Sequence, residues 1–292
     1  MAEITKKDVT VAGVRSLVRE CGTPQAREAV VFLHGNPGSG ADWIDLSAQV
    51  GEFARAIAPD MPGYGKADRP VVFDYTVEGY AAHLGGLLDA LGVERAHLVL
   101  HDFGGPWGMA WASRHPRAVA SVALVNIGVL PDYRWHKYAR IWQTPLLGEL
   151  FMLTSTRGTL RMILNADNPK PLPPAFVDRL YEDIDRGTKR AALKLYRATL
   201  DYAGISRALG ESLRPLKLPA LVVWGKGDAY LPYRFAEVQR EYFDVSEVHL
   251  LDGCGHWPFI DEPALTAGLI VPFLRGQVTA GGRAAVRGGA AD

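Results

Sequence analysis

The stretch that most constrains this chain is Leu98-Val99-Leu100-His101-Asp102-Phe103-Gly104-Gly105-Pro106-Trp107-Gly108-Met109-Ala110-Trp111-Ala112. A short apolar run ends in His-Asp, two glycines follow, and apolar residues then recur at helical spacing. That order reads as a buried strand, a tight turn and a helix, with Asp102 at the turn. A carboxylate there is either a helix cap or a reactive group held up between a strand and a helix packed closely enough to need small neighbours. No Gly-x-Ser-x-Gly occurs anywhere in the chain.

Similar units lie on both sides. Residues 8–20 read as an opening hairpin with a Gly turn. Ala29 to Leu33 is a continuous apolar run, as a strand buried on both faces would be, and it enters the loop His34-Gly35-Asn36-Pro37-Gly38-Ser39-Gly40. Further strands are expected at Phe53–Asp60, Ala96–Leu100, Val119–Asn126, Leu218–Trp224 and Ser246–Leu251. Helices are expected at Trp43–Val50, Tyr75–Leu91, about Tyr233–Tyr242 and Glu262–Leu274. Alternating strands and helices argue for an α/β fold with a mostly parallel, doubly wound sheet. From about residue 129 to 213 the pattern becomes helical, with aromatic, Arg and Leu residues and no convincing strand; Pro169 to Pro174 breaks it in two. The expected organisation is a core of residues 1–128 and 214–276, an inserted helical cap over 129–213, and a disordered tail over 277–292.

With 292 residues the chain has room for one large α/β domain with an insertion. Its formal net charge is zero, which gives no reason to expect nucleic acid or an anionic membrane as partner. Two cysteines, Cys21 and Cys254, are too few for a disulfide framework, and no metal-ligand spacing occurs. The first residues lack an apolar signal core and no apolar run is bilayer-length, so a cytoplasmic location is the expectation.

Three residues now fall at successive strand ends: Asp102, Asp228 in Gly225-Lys226-Gly227-Asp228, and His256 in Gly253-Cys254-Gly255-His256. The carboxyl ends of a doubly wound sheet line one crevice, so residues distant in sequence would meet there. With His34-Gly35-Asn36-Pro37, Asp60-Met61-Pro62-Gly63-Tyr64-Gly65, His101-Asp102-Phe103-Gly104-Gly105, Trp224-Gly225-Lys226-Gly227-Asp228 and Gly255-His256-Trp257-Pro258, the chain resembles the α/β-hydrolase superfamily, in the branch of epoxide hydrolases and haloalkane dehalogenases. The likeness runs from about Asp8 to Leu274 and follows the chain order nucleophile, acid, histidine.

The resemblance implies an Asp102 that attacks carbon to form an alkyl-enzyme ester, and a His256, held by Asp228, that activates the water hydrolysing it. Backbone N–H groups of Asn36 and Phe103 would form the oxyanion hole, with no cofactor or metal required. Tyr196, in Leu195-Tyr196-Arg197, resembles a ring-opening tyrosine of epoxide hydrolases. The other such tyrosine has no clear match, since Tyr133 and Tyr138 come early in the cap. Asn36 stands where dehalogenases carry a halide-binding Asn, but Phe103 has no side-chain N–H to be the second donor. A fluoroacetate-type site built from Tyr133-Arg134-Trp135-His136 would also fall early, and Gly105-Pro106 replaces the arginines such a site uses. An epoxide hydrolase is therefore the leading expectation. A dehalogenase is the alternative, and a non-catalytic ligand-binding relative the third. Trp142, Tyr138 and Trp257 are expected at the pocket, and Trp135, Phe151, Met152 and Met162 add to an apolar or aromatic lining. The expected partner is a small apolar or aromatic molecule, with homodimer formation left open.

Overall fold

The computed structural model describes residues 1–288. Its frame is a sheet of β1 (Thr5–Val11), β2 (Val14–Cys21), β3 (Glu28–Leu33), β4 (Arg55–Pro59), β5 (Arg95–His101), β6 (Val119–Val125), β7 (Pro219–Gly225) and β8 (Asp244–Leu251). The spatial order is β1-β2-β4-β3-β5-β6-β7-β8. The β1–β2 and β2–β4 pairs are antiparallel, and all later pairs are parallel. Ala12 and Gly13 turn the opening hairpin with φ of 48° and 79°, the left-handed pair a two-residue hairpin needs. Strand order reverses at β3, whose neighbours are β4 and β5. A crevice opens at such a switch point, which sets the loop after β3 against the end of β5.

Alternation along the strands divides the core in two. Val31 and Leu33 pack on the face that takes α2 (Val77–Ala90) and α3 (Gly104–Arg114), with Leu84, Leu88 and Trp107. Val30 and Phe32 pack on the other, with Trp43 and Val50 of the segment around α1 (Ile44–Val50). All of β6 is buried, which is why its sequence is an unbroken apolar run.

Between β6 and β7 come six helices: α4 (Lys137–Gln143), α5 (Leu147–Thr154), α6 (Arg157–Ala166), α7 (Pro174–Glu182), α8 (Arg186–Ala198) and α9 (Tyr202–Leu213). They are locked to the sheet at named points. Arg179 of α7 donates to the buried Asp42 carboxylate at 2.7 Å. Gly63 lies so close under α8 that a Cβ on it would sit 2.5 Å from the Cβ of Ala191.

Two elements depart from expectation. The helix expected near Tyr233–Tyr242 is two short 3-10 turns, Tyr233–Phe235 and Glu237–Glu241. Gln239 there is fully buried, and its amide satisfies the Val129 N–H and the Val129 and Phe235 carbonyls, tying the segment to the loop after β6. The closing helix is preceded by a single turn, α10 (Pro258–Asp261), and then runs as α11 (Pro263–Gly288). Helical backbone thus continues from the expected closing helix into the stretch 277–288. Residues 289–292 lie outside the described residues. Among the described residues no helix is long and apolar enough to cross a membrane.

Candidate active site

β5 delivers Asp102 to the crevice, and the reversal into α3 forces it to φ 48°. A non-glycine residue in that region stores roughly 1–3 kcal/mol of strain, which the surrounding packing must hold. The packing is tight: a Cβ on Gly104 would lie 2.4 Å from the Leu33 carbonyl oxygen, and one on Gly35 only 2.1 Å from Asp102 Oδ1. The glycines of the two loops therefore let the strands bring a carboxylate and a backbone amide together. The Asn36 N–H donates to Asp102 Oδ1 at 2.7 Å.

On the other side of the carboxylate stands His256, its Nε2 3.6 Å from Asp102 Oδ2. Its Nδ1 donates to Asp228 Oδ2 at 2.8 Å. Asp228 Oδ1 takes the Tyr230 and Leu231 N–H groups at 2.8 and 2.9 Å. The predicted trio, which spans 155 positions of sequence, thus forms one connected line. Burial opposes charge on Asp102 and on His256, but their mutual attraction and hydrogen bonds win. His256, with the Asn36 N–H, holds the Asp102 carboxyl below the usual range. The two carboxylates, with their hydrogen bonds, raise the His256 imidazolium well above an ordinary histidine.

Two further buried residues support this line. Asn126, just after β6 with φ 49°, donates to Asp228 Oδ2 at 2.7 Å and to the Gly255 carbonyl at 3.1 Å, and accepts the Gly225 N–H at 2.9 Å. A polar residue ending a buried strand was the only hint. His101 bonds through Nε2 to the His256 carbonyl at 2.8 Å, and burial pushes its own pKa down to about 3. The ring is therefore neutral and donates to that carbonyl.

The pocket above Asp102 is mostly apolar and is walled by the cap. Tyr196, Trp142, Tyr138 and Trp257 all line it. Tyr196 accepts the Asn36 side-chain amide at 3.4 Å. Burial, with the nearby Asp102 charge, raises its pKa well above that of free tyrosine, so it stays protonated. Its backbone neighbour Arg197 clamps the Glu149 carboxylate through two bonds of 2.7 and 2.8 Å, joining α8 to α5. The buried indole N–H groups of Trp142 and Trp257 have no hydrogen-bond partner among the described residues.

The Phe103 ring packs against Trp107, Trp135, Tyr196 and Tyr202 and lines a small apolar void that Asp102 also borders, while its backbone precedes the first turn of α3. Expectations for cap residues are corrected. Tyr133 and Trp135 line the same void, because Tyr133 donates to the Tyr230 carbonyl and Trp135 to the Thr199 carbonyl. Met162 points to solvent, 66% exposed. His136, although it falls early in the cap, lines the main pocket. Its Nδ1 accepts the Ala139 N–H, and burial lowers its pKa to about 4, so its neutral ring carries a proton on Nε2.

Residues 28–263 match the α/β hydrolase fold family. The chain belongs to that family and is a hydrolase of the α/β-hydrolase superfamily. Among its curated relatives, a 2-hydroxymuconate semialdehyde hydrolase of Pseudomonas sp. is 27% identical, with 92% of this chain and 93% of the relative covered. Among solved structures, a haloalkane dehalogenase from Bradyrhizobium elkani superposes with a TM-score of 0.82 at 24% identity, covering 95% of this chain and all of the other. An epoxide hydrolase from Vigna radiata superposes with a TM-score of 0.79 at 20% identity, covering 94% and 98%. These structural likenesses establish the fold.

Proposed function

We propose that the chain hydrolyses its substrate through an ester on Asp102, and that the reaction is the opening of an epoxide to a vicinal diol. An aspartate stands at the turn where acyl-transferring members of the superfamily carry serine, which favours attack on a saturated carbon. The observation that carries the epoxide reading is Tyr196: it accepts a bond from Asn36, so its own proton is left for the pocket, and burial keeps it protonated.

In the first step an Asp102 oxygen attacks a ring carbon. The C–O bond breaks, and Tyr196 gives its proton to the departing oxygen. In the second, His256 takes a proton from water, and the hydroxide adds to the ester carbonyl. The oxyanion rests on the Asn36 and Phe103 amides. Collapse releases the second alkoxide, which His256 protonates, and the carboxyl proton left on Asp102 neutralises the tyrosinate. Alkylation also resets the base. Once Asp102 is an ester, one of the two carboxylates that raised the His256 pKa is gone while Asp228 remains, so the imidazole gives up its proton more readily and can act as a base.

Haloalkane dehalogenation is the second reading, favoured by the unpartnered N–H of Trp142, which lines the same pocket as Asn36. Intact-mass measurement of His256→Gln after mixing with styrene oxide or a bromoalkane separates the two. Without its base the protein stalls at the ester. A gain of the whole epoxide mass supports ring opening. A gain of the alkyl group without bromine supports dehalogenation. No adduct from a panel of either kind overturns both.

A further inference from the structure

Helix α5 is apolar on two faces. Phe151 and Met152 line the pocket, while Leu146, Leu147, Leu150 and Leu153 face solvent at 82, 47, 58 and 80% exposure. Met162 of α6 adds a fifth exposed apolar side chain at 66%. Single exposed leucines are ordinary, but a helical ridge of them is a docking surface. Its charged neighbours in sequence are in part neutralised: Lys137 pairs with Asp167, Arg157 with Asp178 and Glu149 with Arg197. Arg140 and Arg161 are exposed and have no ion-pair partner among the described residues. Zero net charge conceals a basic bias of the cap: residues 129–213 hold thirteen Lys and Arg against nine Asp and Glu, and the remainder of the chain carries the opposite excess.

We infer that this face of the cap docks on an anionic lipid surface. Two copies meeting through the same ridge would bring like charges together, whereas anionic headgroups complement them. Leucines between exposed arginines are the composition with which an interfacial helix seats its apolar side in the acyl boundary and its cations among headgroups. The same helix walls the pocket, so docking places that wall against the phase where an apolar substrate collects. The inference concerns where the protein works and is independent of the chemistry at Asp102.

The test is flotation of the full chain with vesicles of phosphatidylcholine, with and without phosphatidylglycerol. The expected result is binding to the mixed vesicles that weakens with salt. Arg140→Gln and Arg161→Gln should each lower partitioning about five-fold. Leu150→Glu/Leu153→Glu should lower it about ten-fold or more, with the melting temperature and the hydrolysis of a water-soluble substrate unchanged. Absence of binding to the mixed vesicles overturns the inference. So does self-association of the wild type that the double glutamate variant abolishes, since that outcome makes the ridge a dimer face.

Discussion

At the scale of single residues, the site depends on contacts too close to admit another atom. Gly35→Ala would place a methyl within 2.1 Å of Asp102 Oδ1, so the carboxylate must move. Displacement of a reacting group by about 1 Å costs roughly a hundred-fold in rate. We expect single-turnover ester formation to fall by about that factor in a protein that still folds. Tyr196→Phe keeps the ring and removes the proton. Loss of a general acid costs about 10²–10⁴-fold. The loss should fall on ring opening of an epoxide, and pre-steady-state kinetics will show it as slower adduct formation with unchanged adduct hydrolysis; equal slowing of both would contradict the assigned role. The pH profile has a sign of its own. Asp102 is held ionised to well below neutrality, so ester formation should be flat through the neutral range. Ester hydrolysis needs neutral His256, so it should rise with pH through the imidazole pKa of the alkylated protein. Rapid-quench measurements of the two steps against pH will check this.

At the scale of elements, the cap is held by a few polar ties as well as by packing. Arg179 of α7 is the partner of a carboxylate that is almost wholly buried, and burial pushes the Asp42 pKa up. Removing that arginine leaves the charge without its partner, a loss of about 2–3 kcal/mol once the partial exposure of Arg179 is allowed for. Arg179→Met should therefore lower the unfolding temperature and speed amide exchange in α7 before it affects β5. Elements also mark the limit of what sequence shows. The strands and α3 were legible because buried strands read as unbroken apolar runs and glycines mark close crossings. The segment 233–242 was misread because helix spacing says nothing about Gln239, whose bonds reach across 110 positions to the loop after β6. Met162 was expected at the pocket and faces solvent, because periodicity identifies an apolar stripe and not what covers it.

At the scale of the whole molecule, Asp102, Asp228 and His256 could be read from three strand-end loops because the topology gathers those ends. Tyr196 and the pocket aromatics came from likeness of the cap, whose helices meet the core only through long-range contacts. Asn126 was invisible for the same reason, since its partners are remote in sequence; His101 and His136 stood in segments read above, but the His101 bond to the His256 carbonyl and the place of His136 at the pocket depend on the fold. Asn126 matters beyond its own bonds, since one side chain there joins the ends of β6 and β7 to the turn before His256. Replacing it by Leu should cost about 1.5–3 kcal/mol, read by chemical denaturation, because it strips a hydrogen bond from a buried carboxylate. That shared anchor divides the protein into parts that can and cannot be exchanged by recombination. The three loops around Asn126 must be inherited together, and a chimera taking only one of them from a relative should fold with a misaligned histidine. The cap helices reach the core through separate ties such as Arg179 to Asp42, so a cap can be traded to change what the same carboxylate meets only together with the core partners of those ties.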